Sequence, residues 1–550
     1  MTPAAPPIRT RPLMTWDRTP GFLCDWHLAG FFESGLRYND NPSLFDAKIS
    51  DRWKEDHLAP WGGCEKIRHV PAATGKGAAV EWQLLPLSWS PQLSLRKSRE
   101  EYENWNERCK DADPDLWLKL YYALALVESP HDCQAELLFS GWDGCRLWIN
   151  GKMSFDEHSF HHCIYDMERV PVALKAGVNS FLFQLDRDGV VARLATPDDP
   201  EFVKQLKGMA AGDDPPRRAV STFTSMRRHA AGLKIQMPFN GMTNADLSAW
   251  QKSFAAHYQR CLGPEPPRGA GEPVCTNETA CDGYVRKTHV VPCEGGGSLE
   301  CFVLIPEKSR RNGRAVLSIH GHTDPYLVAG LVKPKRPGGL SGQDLNNYTE
   351  RLAQKGFVTA QTVQRGFGIR NDYFGGDDPC NVAGWQALSM GLTLPRLHIA
   401  DLHRLHELMC ATPGVDAKRV GVGGLSGGGT LSYLSGAFDE RFKAVCVMCG
   451  MCRYEDFAMG ENGCGLQIVP GLYPAGDVGE VLGLIAPRPL LLGQGDRDST
   501  FNVIRFRSIA DDAAKAYQAA GAADRLQVEV FNLAHEFHVD LAEQFFLKWL

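Results

Sequence analysis

Short apolar runs alternate with turn residues through the first third of the chain. Residues 145–149 alternate in polarity and end at Asn150-Gly151, a dipeptide that favours the tight turn of a β-hairpin. Further runs of strand length cover residues 26–32, 116–127, 135–139, 170–174 and 179–185. Short strands separated by regular turns are typical of an all-β sandwich. We therefore expect a β-sandwich over residues 16–200.

Helical periodicity becomes clear only after a polar, proline-containing segment. Apolar and aromatic residues recur at three- and four-residue spacing between Leu247 and Tyr258, which places them on one helix face. Gly263 and the prolines beyond it are typical of a helix end. The pattern predicts a helix over residues 245–262, and we expect residues 201–244 to form a linker.

Buried-strand patterns then alternate with helical ones to the end of the chain. Two apolar runs flank the glycines at 295–297 and predict an antiparallel hairpin. The later strand-length runs are residues 315–319, 357–363, 420–423, 444–448, 489–492 and 526–531. Apolar runs with helices between them predict a mostly parallel, doubly wound sheet. Residues 245–550 are therefore expected to form an α/β domain.

One serine lies in a glycine-rich turn at the end of the run 420–423. The segment Gly424-Leu425-Ser426-Gly427-Gly428 fits G-x-S-x-G, the pattern of a nucleophile elbow, in which a sharp strand-to-helix turn exposes the serine hydroxyl. The amide of Gly427 would lie at a helix N-terminus, where it could donate to an oxyanion. The alternative is an ordinary glycine-rich turn. A serine nucleophile also needs a histidine base and an acid, so the downstream residues decide between the two.

Candidates for both partners follow the next strands in the expected order of serine, acid and histidine. Asp496 and Asp498 come directly after the run 489–492, and either could be the acid. His535 follows the last strand, where the base is expected, whereas His538 would begin the final helix. We therefore assign the base to His535.

A second oxyanion donor is expected after the run 315–319, which ends in His320-Gly321-His322. The backbone N–H of His322 is the candidate. His320 is expected to be a buried residue that holds this loop by hydrogen bonds.

Two groups of residues are candidate metal ligands. Cys446, Cys449, Cys452 and Cys464 are close in sequence, but the first lies in a predicted buried strand, where cysteine acts as a small hydrophobe. The histidines at 398, 403 and 406 lie in a predicted helix, and we favour a solvated helix face over a metal site because no matching ligand spacing recurs. We expect no metal and no cofactor.

Composition limits the classes of partner. With 550 residues, 43% hydrophobic and 23% charged, the chain is typical of a soluble protein of at least two domains. The net charge of −6 and the lack of a basic stretch argue against binding of nucleic acid. The sequence contains no run of about 18 apolar residues, so we expect no membrane-spanning helix. The 17 scattered cysteines favour a reducing compartment. We expect a cytoplasmic protein unless an export signal has been trimmed, and a homo-oligomer is one open option.

Residues 245–550 resemble the acetyl xylan esterase-like and dienelactone hydrolase-like branches of the α/β-hydrolase superfamily. The resemblance rests on Arg365-Gly366-Phe367-Gly368, Asp401, the elbow, and residues 413–422, 469–472 and 485–491. Residues 20–195 resemble galactose-binding-like jelly-roll modules, on the segments 26–32, 141–151 and 174–179. The two resemblances imply an α/β-hydrolase domain preceded by a jelly-roll sandwich, which either binds sugar or packs on the enzyme.

The family resemblance also bears on chemistry. In related hydrolases the acid lies three residues after a glycine and three before a phenylalanine; Gly495 and Phe501 meet both conditions for Asp498. The implied activity is hydrolysis of carboxylic esters, such as acetyl groups on plant polysaccharides or oligosaccharides, by Ser426, His535 and Asp498. Glucuronoyl esterases have an arginine-containing elbow that this chain lacks. His322 departs from the acetyl xylan esterase pattern, which leaves the acyl group open.

Two other functions remain as alternatives. A serine peptidase of the prolyl oligopeptidase type would share the catalytic residues, but its accessory domain is usually a β-propeller, and the chain lacks blade repeats of about 40–50 residues. A carbohydrate-binding protein with an inactive hydrolase domain would not need all three catalytic positions, and here all three are filled.

Overall fold

A computed structural model gives the fold. The structure describes residues 8–16, 18–33, 54–59, 62–69, 82–84, 92–94, 119–141, 145–157, 165–186, 189–211, 226, 229–230, 232–332, 346–371, 379–454, 456, 464–498 and 500–550. Within the expected linker 201–244, residues 212–225, 227–228 and 231 lie outside this set. The chain divides into two compact units, Met1–Thr224 and Ser225–Leu550.

The first unit is built from antiparallel strands. Strands β1 to β14 are, in chain order, Ile8–Pro12, Met14–Trp16, Thr19–Phe22, Trp26–Glu33, Gln83–Leu84, Gln92–Ser94, Lys119–Ser129, Cys133–Gly141, Cys145–Ile149, Lys152–Glu157, Glu168–Leu174, Gly177–Asp186, Gly189–Ala195 and Lys207–Ala211. Eight of them form one sheet along the path β1-β14-β7-β12-β9-β10, with β4 paired to β7 and β5 paired to β4. The other six form a second sheet along β11-β8-β13-β3-β2, with β6 beside β13.

Strand β7 is apolar over residues 120–127 because both of its faces are buried. Tyr121 and Ala123 point into a core shared with the second sheet, whereas Leu120 and Tyr122 point into a smaller cluster on the opposite face, together with Leu58. A strand that is buried on both faces shows no alternation. The two sheets therefore share one hydrophobic core, as a sandwich requires, while jelly-roll connectivity stays a prediction.

The second unit contains a mixed sheet. Strands β15 to β23 are Val274–Cys281, Tyr284–Pro292, Ser298–Pro306, Ala315–Ile319, Val358–Thr362, Val420–Leu425, Ala444–Met448, Leu490–Gly495 and Leu526–Phe531. Their spatial order is β15-β16-β17-β19-β18-β20-β21-β22-β23. The first three strands pair antiparallel, also with β19, and the pairs from β19 onward are parallel. The edge strand β15 was not predicted, because its residues are polar and mostly exposed.

Helices cover both faces of this sheet. Helices α1 to α10 are Asn244–Leu262, Pro325–Val328, Tyr348–Gln354, Pro379–Ser389, Leu394–Cys410, Gly427–Phe438, Leu472–Ala475, Val478–Gly483, Val503–Ala519 and Val539–Trp549. Alternate residues of β21 point to opposite sides. Val445 and Val447 pack in the core that contains α1, α5, α6 and α9, whereas Cys446 and Met448 pack with α3 and α10. The parallel strands therefore lie between two helical layers. The structure describes no helix that is both long and apolar enough to cross a membrane.

The prediction of a solvated histidine face on α5 is wrong. His398 and His406 are only 2% and 6% exposed. Burial lowers the pKa of His398 well below its usual value and also lowers that of His406. His403 lies 3.1 Å from Asp439. The helix carries apolar residues on its sheet side, but Phe442 and neighbouring side chains also cover its polar positions, which a helical pattern alone does not reveal.

Candidate active site

Ser426 is the single residue between β20 and α6. Its backbone has φ 60° and ψ −126°, a conformation that is rare for a residue with a side chain. The Ser426 N–H donates to Met448 O at 3.0 Å, and its carbonyl accepts the Thr430 N–H at 2.9 Å. A Cβ at Gly428 would lie 1.9 Å from Ile319 O, so only glycine fits there. The turn is therefore fixed by sheet, helix and close backbone packing.

His320 anchors the neighbouring loop. Its Nε2 accepts the Gln364 N–H at 2.9 Å, so Nδ1 carries the proton and donates to Gly321 O at 2.8 Å. Burial lowers the pKa of His320 to about 4, so the ring is neutral at physiological pH. As predicted from the sequence, His320 is a buried residue that holds the loop by hydrogen bonds.

The anchored loop lies against the serine turn. A Cβ placed on Gly321 would be 2.9 Å from Ser426 Cβ and 3.2 Å from the Gly427 nitrogen. The His322 Nδ1 lies 3.6 Å from the Cβ position of Gly427. The structure thus brings together the two residues that the sequence named as oxyanion donors, beside the candidate nucleophile.

Asp498 and His535 form a direct pair. Asp498 Oδ2 lies 2.8 Å from His535 Nδ1, and the aspartate side chain is fully buried. Its Oδ1 accepts the N–H groups of Thr500 and Phe501 at 2.7 and 3.0 Å, and its Oδ2 accepts Gln494 Nε2 at 3.0 Å. The Phe501 ring stacks on the imidazole with a centroid distance of 5.8 Å. The carboxylate and the imidazole are therefore both held in fixed orientations.

Asp496 and His538, the alternative candidates for the acid and the base, do not take part in this pair. The Asp496 side chain is 45% exposed and is 3.8 Å from Arg497. His538 is the residue before α10, and its Nδ1 accepts the Leu541 N–H at 3.3 Å. The structure thus pairs Asp498 rather than Asp496 with His535, and it gives His538 a capping role.

Ser426, Asp498 and His535 follow the carboxyl ends of β20, β22 and β23. Because these strands are parallel, their carboxyl ends lie at one edge of the sheet, where α/β proteins bind ligands. Sequence order and sheet order together place the three side chains on the same side of the domain.

Sequence reasoning named Cys449, the first residue after β21, only as part of a candidate metal-ligand group and did not place it beside the Asp498–His535 pair. Its Sγ, a ring nitrogen of His535 and a carboxylate oxygen of Asp498 all lie within 4.8 Å of one another. Among the residues that the structure describes, these three form the one such cluster of metal-ligating side chains. A cation bound there would have to displace the hydrogen bond between Asp498 and His535. The sequence could have indicated this position, because Cys449 follows β21, which lies between the strands that lead to Ser426 and Asp498.

A second missed feature is the environment of His322. Hydrogen bonds from the Cys380 thiol and from His322 lower the pKa of Cys464 to about 6, against the opposing effect of burial. The edge of Phe367 contacts the His322 ring at a centroid distance of 5.4 Å. The His322 side chain thus lies between an aromatic ring and the Cys464 thiol, whose pKa is lowered.

A cavity of about 670 Å³ lies beside α4 and the β16–β17 hairpin. Its lining includes Arg365 and Arg370, which both pair with Asp401, and Glu294, which pairs with Arg365. These charges balance one another. The cavity lining does not include Ser426, Asp498 or His535, so we assign the candidate site from the geometry of the side chains and not from this cavity. Residues 333–345 and 372–378 lie outside the described set.

Comparison with known proteins gives remote similarity. No family model matches the chain. YtaP of Bacillus subtilis, named as a candidate hydrolase, is 24% identical over 281 residues, which are 48% of this chain and 88% of YtaP.

The structural neighbours include esterases. A candidate acetyl xylan esterase of Bacteroides fragilis has a TM-score of 0.46 at 17% identity, covering 57% of this chain and 82% of that protein. A glucuronoyl esterase from Solibacter usitatus has a TM-score of 0.42 at 14% identity, covering 58% of this chain and 98% of that one. Likeness at this level carries no argument about substrate.

Proposed function

We propose that this protein is a serine hydrolase of the α/β-hydrolase type, which cleaves carboxylic esters through an acyl-enzyme on Ser426. The observation that carries the proposal is the buried Asp498–His535 pair at the sheet edge where the strained Ser426 turn also lies. A strained serine turn persists only where the surrounding structure enforces it, which is a common property of active sites. The similarity to YtaP, a candidate hydrolase, supports the same class.

The proposed reaction has two acyl-transfer steps. Ser426 Oγ attacks the ester carbonyl while His535 Nε2 takes its proton, and Asp498 keeps the imidazole in the required tautomer. The N–H groups of Gly427 and His322 stabilise the oxyanion, and each such donor typically contributes about 2.7–4 kcal/mol. His535 then gives the proton to the leaving alcohol and activates a water molecule, which releases the acid. No step calls for a cofactor.

The proposed substrate class is an acetylated carbohydrate, either a small ester or an oligosaccharide. This part of the proposal rests on the acetyl xylan esterase-like motifs in residues 245–550 and on the jelly-roll resemblance of residues 20–195. The sandwich of the first unit would then bind sugar or serve as a structural module.

Hydrolysis of p-nitrophenyl acetate and of acetylated xylo-oligosaccharides by the wild type and by Ser426→Ala tests the proposal. We expect the wild type to cleave both and the variant to cleave neither. Activity on the small ester alone would support the serine esterase assignment but not the proposed carbohydrate substrate. Ser426-dependent cleavage of a dipeptide p-nitroanilide, without ester turnover on saccharides, would favour the peptidase. Sugar binding without any turnover would favour the binding protein.

A further inference from the structure

Cys449 lies beside the Asp498–His535 pair, a position that sequence reasoning did not give it. It follows β21, the strand between those that lead to Ser426 and to Asp498. Its backbone has φ 44°, in the left-handed region, and its N–H donates to Gly493 O at 2.8 Å. The side chain is completely buried. A strained, buried position beside the proposed catalytic pair calls for an explanation beyond filling space.

The sulfur contacts both loops that carry the pair. It accepts the Gly495 N–H at 3.4 Å, three residues before Asp498. It also lies 3.7 Å from the carbonyl of Glu536, the residue after His535, and can donate its proton there. With the carboxylate of Asp498 and the ring of His535 within 4.8 Å, one thiol links the acid loop to the base loop.

The thiol keeps its proton at neutral pH. Burial, followed by the nearby Asp498 charge, raises the pKa of Cys449 well above its usual value. The groups that face the sulfur are the Asp498 carboxylate, the His535 ring, the Gly495 N–H and the Glu536 carbonyl. Only the carboxylate and the carbonyl are obligate acceptors, so the thiol acts as a donor toward the acid or toward the base loop.

We propose that Cys449 is a positioning residue for the Asp498–His535 pair, in which the thiol joins the acid loop to the base loop and fixes their separation. The expected effect of Cys449 on catalysis rests on the proposed function. The contact between Cys449 and the two loops does not depend on which substrate is cleaved. The thiol takes no covalent part in the reaction. Its effect reaches the substrate only through the orientation and basicity of His535.

Cys446 supplies a matched control. It lies three residues earlier, on β21, is also completely buried and belongs to the same hydrophobic cluster as Cys449. Unlike Cys449, it is not part of the cluster that contains Asp498 and His535. Replacement of either cysteine by alanine removes one sulfur atom from this hydrophobic cluster. A difference between the two variants therefore reports on the contact with the pair.

The test compares Cys449→Ala, Cys449→Ser and Cys446→Ala with the wild type. Loss of the contacts that join the two loops predicts that kcat of Cys449→Ala falls roughly tenfold while KM stays within about twofold. The acid limb of the kcat/KM profile moves to lower pH, because a carboxylate that is less well aligned with the imidazole stabilises the imidazolium less. Cys449→Ser, which keeps a donor, recovers most of both properties, and Cys446→Ala retains them.

The low-field proton resonance of His535 Nδ1–H, measured without substrate, provides a readout that does not depend on esterase activity. It shifts in Cys449→Ala and stays in place in Cys446→Ala. Equal kcat values, pH profiles and resonance positions in the two alanine variants would overturn the positioning role. Absence of Ser426-dependent turnover in the wild type would instead overturn the proposed function, and the resonance would still decide the role of Cys449.

Discussion

Asp498 Oδ2 lies 2.8 Å from Nδ1 of His535, and the carboxylate that makes this contact is fully buried. Because backbone N–H groups of Thr500 and Phe501 bind the other oxygen, the carboxylate cannot turn away from the imidazole without losing them. The contact fixes which imidazole nitrogen is free to face a substrate, namely Nε2. This relationship supports a hydrolytic role for the sheet edge more directly than any motif.

Asp498→Asn is expected to remove most of the activity. An amide can donate to Nδ1 and so hold the wrong tautomer, and this change lowers kcat by about 10⁴ in the well-studied serine protease triad. The exposed Asp496 gives the control, since Asp496→Asn leaves the pair untouched and should keep kcat within about twofold. Steady-state kinetics with p-nitrophenyl acetate make the comparison. Equal losses in the two variants would remove the distinction between the aspartates.

Stability is expected to fall on acidification because of His320. Its pKa is about 4 in the folded protein and about 6.5 in the unfolded chain. Between these values the unfolded state binds the extra proton, so the free energy of unfolding rises with pH and is fully recovered above about pH 6.5. The contribution is at most about 3 kcal/mol. Urea unfolding from pH 4 to 7 should show a shallower pH dependence in His320→Gln, and an unchanged slope would contradict the assignment.

Cys464 is expected to react as a thiolate at neutral pH. Since its pKa is lowered to about 6, the rate of its alkylation by iodoacetamide should level off above about pH 7. Cys446, which is buried like Cys464 but has a raised pKa, serves as the internal comparison. Peptide mass spectrometry after brief labelling measures both. A rate that keeps rising toward pH 9 would show that His322 and Cys380 do not stabilise the Cys464 thiolate.

Gly428→Ala should destabilise the protein by about 2–4 kcal/mol, because a methyl group there would collide with Ile319 O and force the serine turn to move. Gly232, around which nothing lies within 4 Å, is the control position, and Gly232→Ala should be close to neutral. Thermal unfolding measures both. Wild-type stability in Gly428→Ala would mean that the turn is less tightly packed than described.

Sequence patterns predicted the buried strands of the second unit well, since apolar runs such as 444–448 reflect burial on both faces. They missed Val274–Cys281 because an exposed edge strand carries no apolar pattern. They placed His398 and His406 in solvent because one helix does not reveal what covers its polar positions. The pattern of hydrophobic residues reports burial against the sheet, and it is silent on packing by other elements.

The candidate site shows the same division. Ser426 and His535 follow from their positions after strands, which are local properties of the sequence. The choice of Asp498 over Asp496 needed family analogy, and the structure distinguishes the two by a contact across 37 residues. Cys449 and Cys464 gain their roles from partners in distant segments. No local pattern identifies such a residue, because its chemistry depends on neighbours that only the fold assembles.

Labelling with a fluorophosphonate probe tests the central claim most directly, because the probe reacts with an activated serine whatever the natural substrate. Intact protein is labelled and digested, and the modified residue is identified by mass spectrometry in the wild type, Ser426→Ala and His535→Ala. The account predicts a single adduct on Ser426 in the wild type, no adduct in Ser426→Ala, and a strongly slowed reaction in His535→Ala. An unlabelled wild type, or an adduct on another residue, would contradict the account.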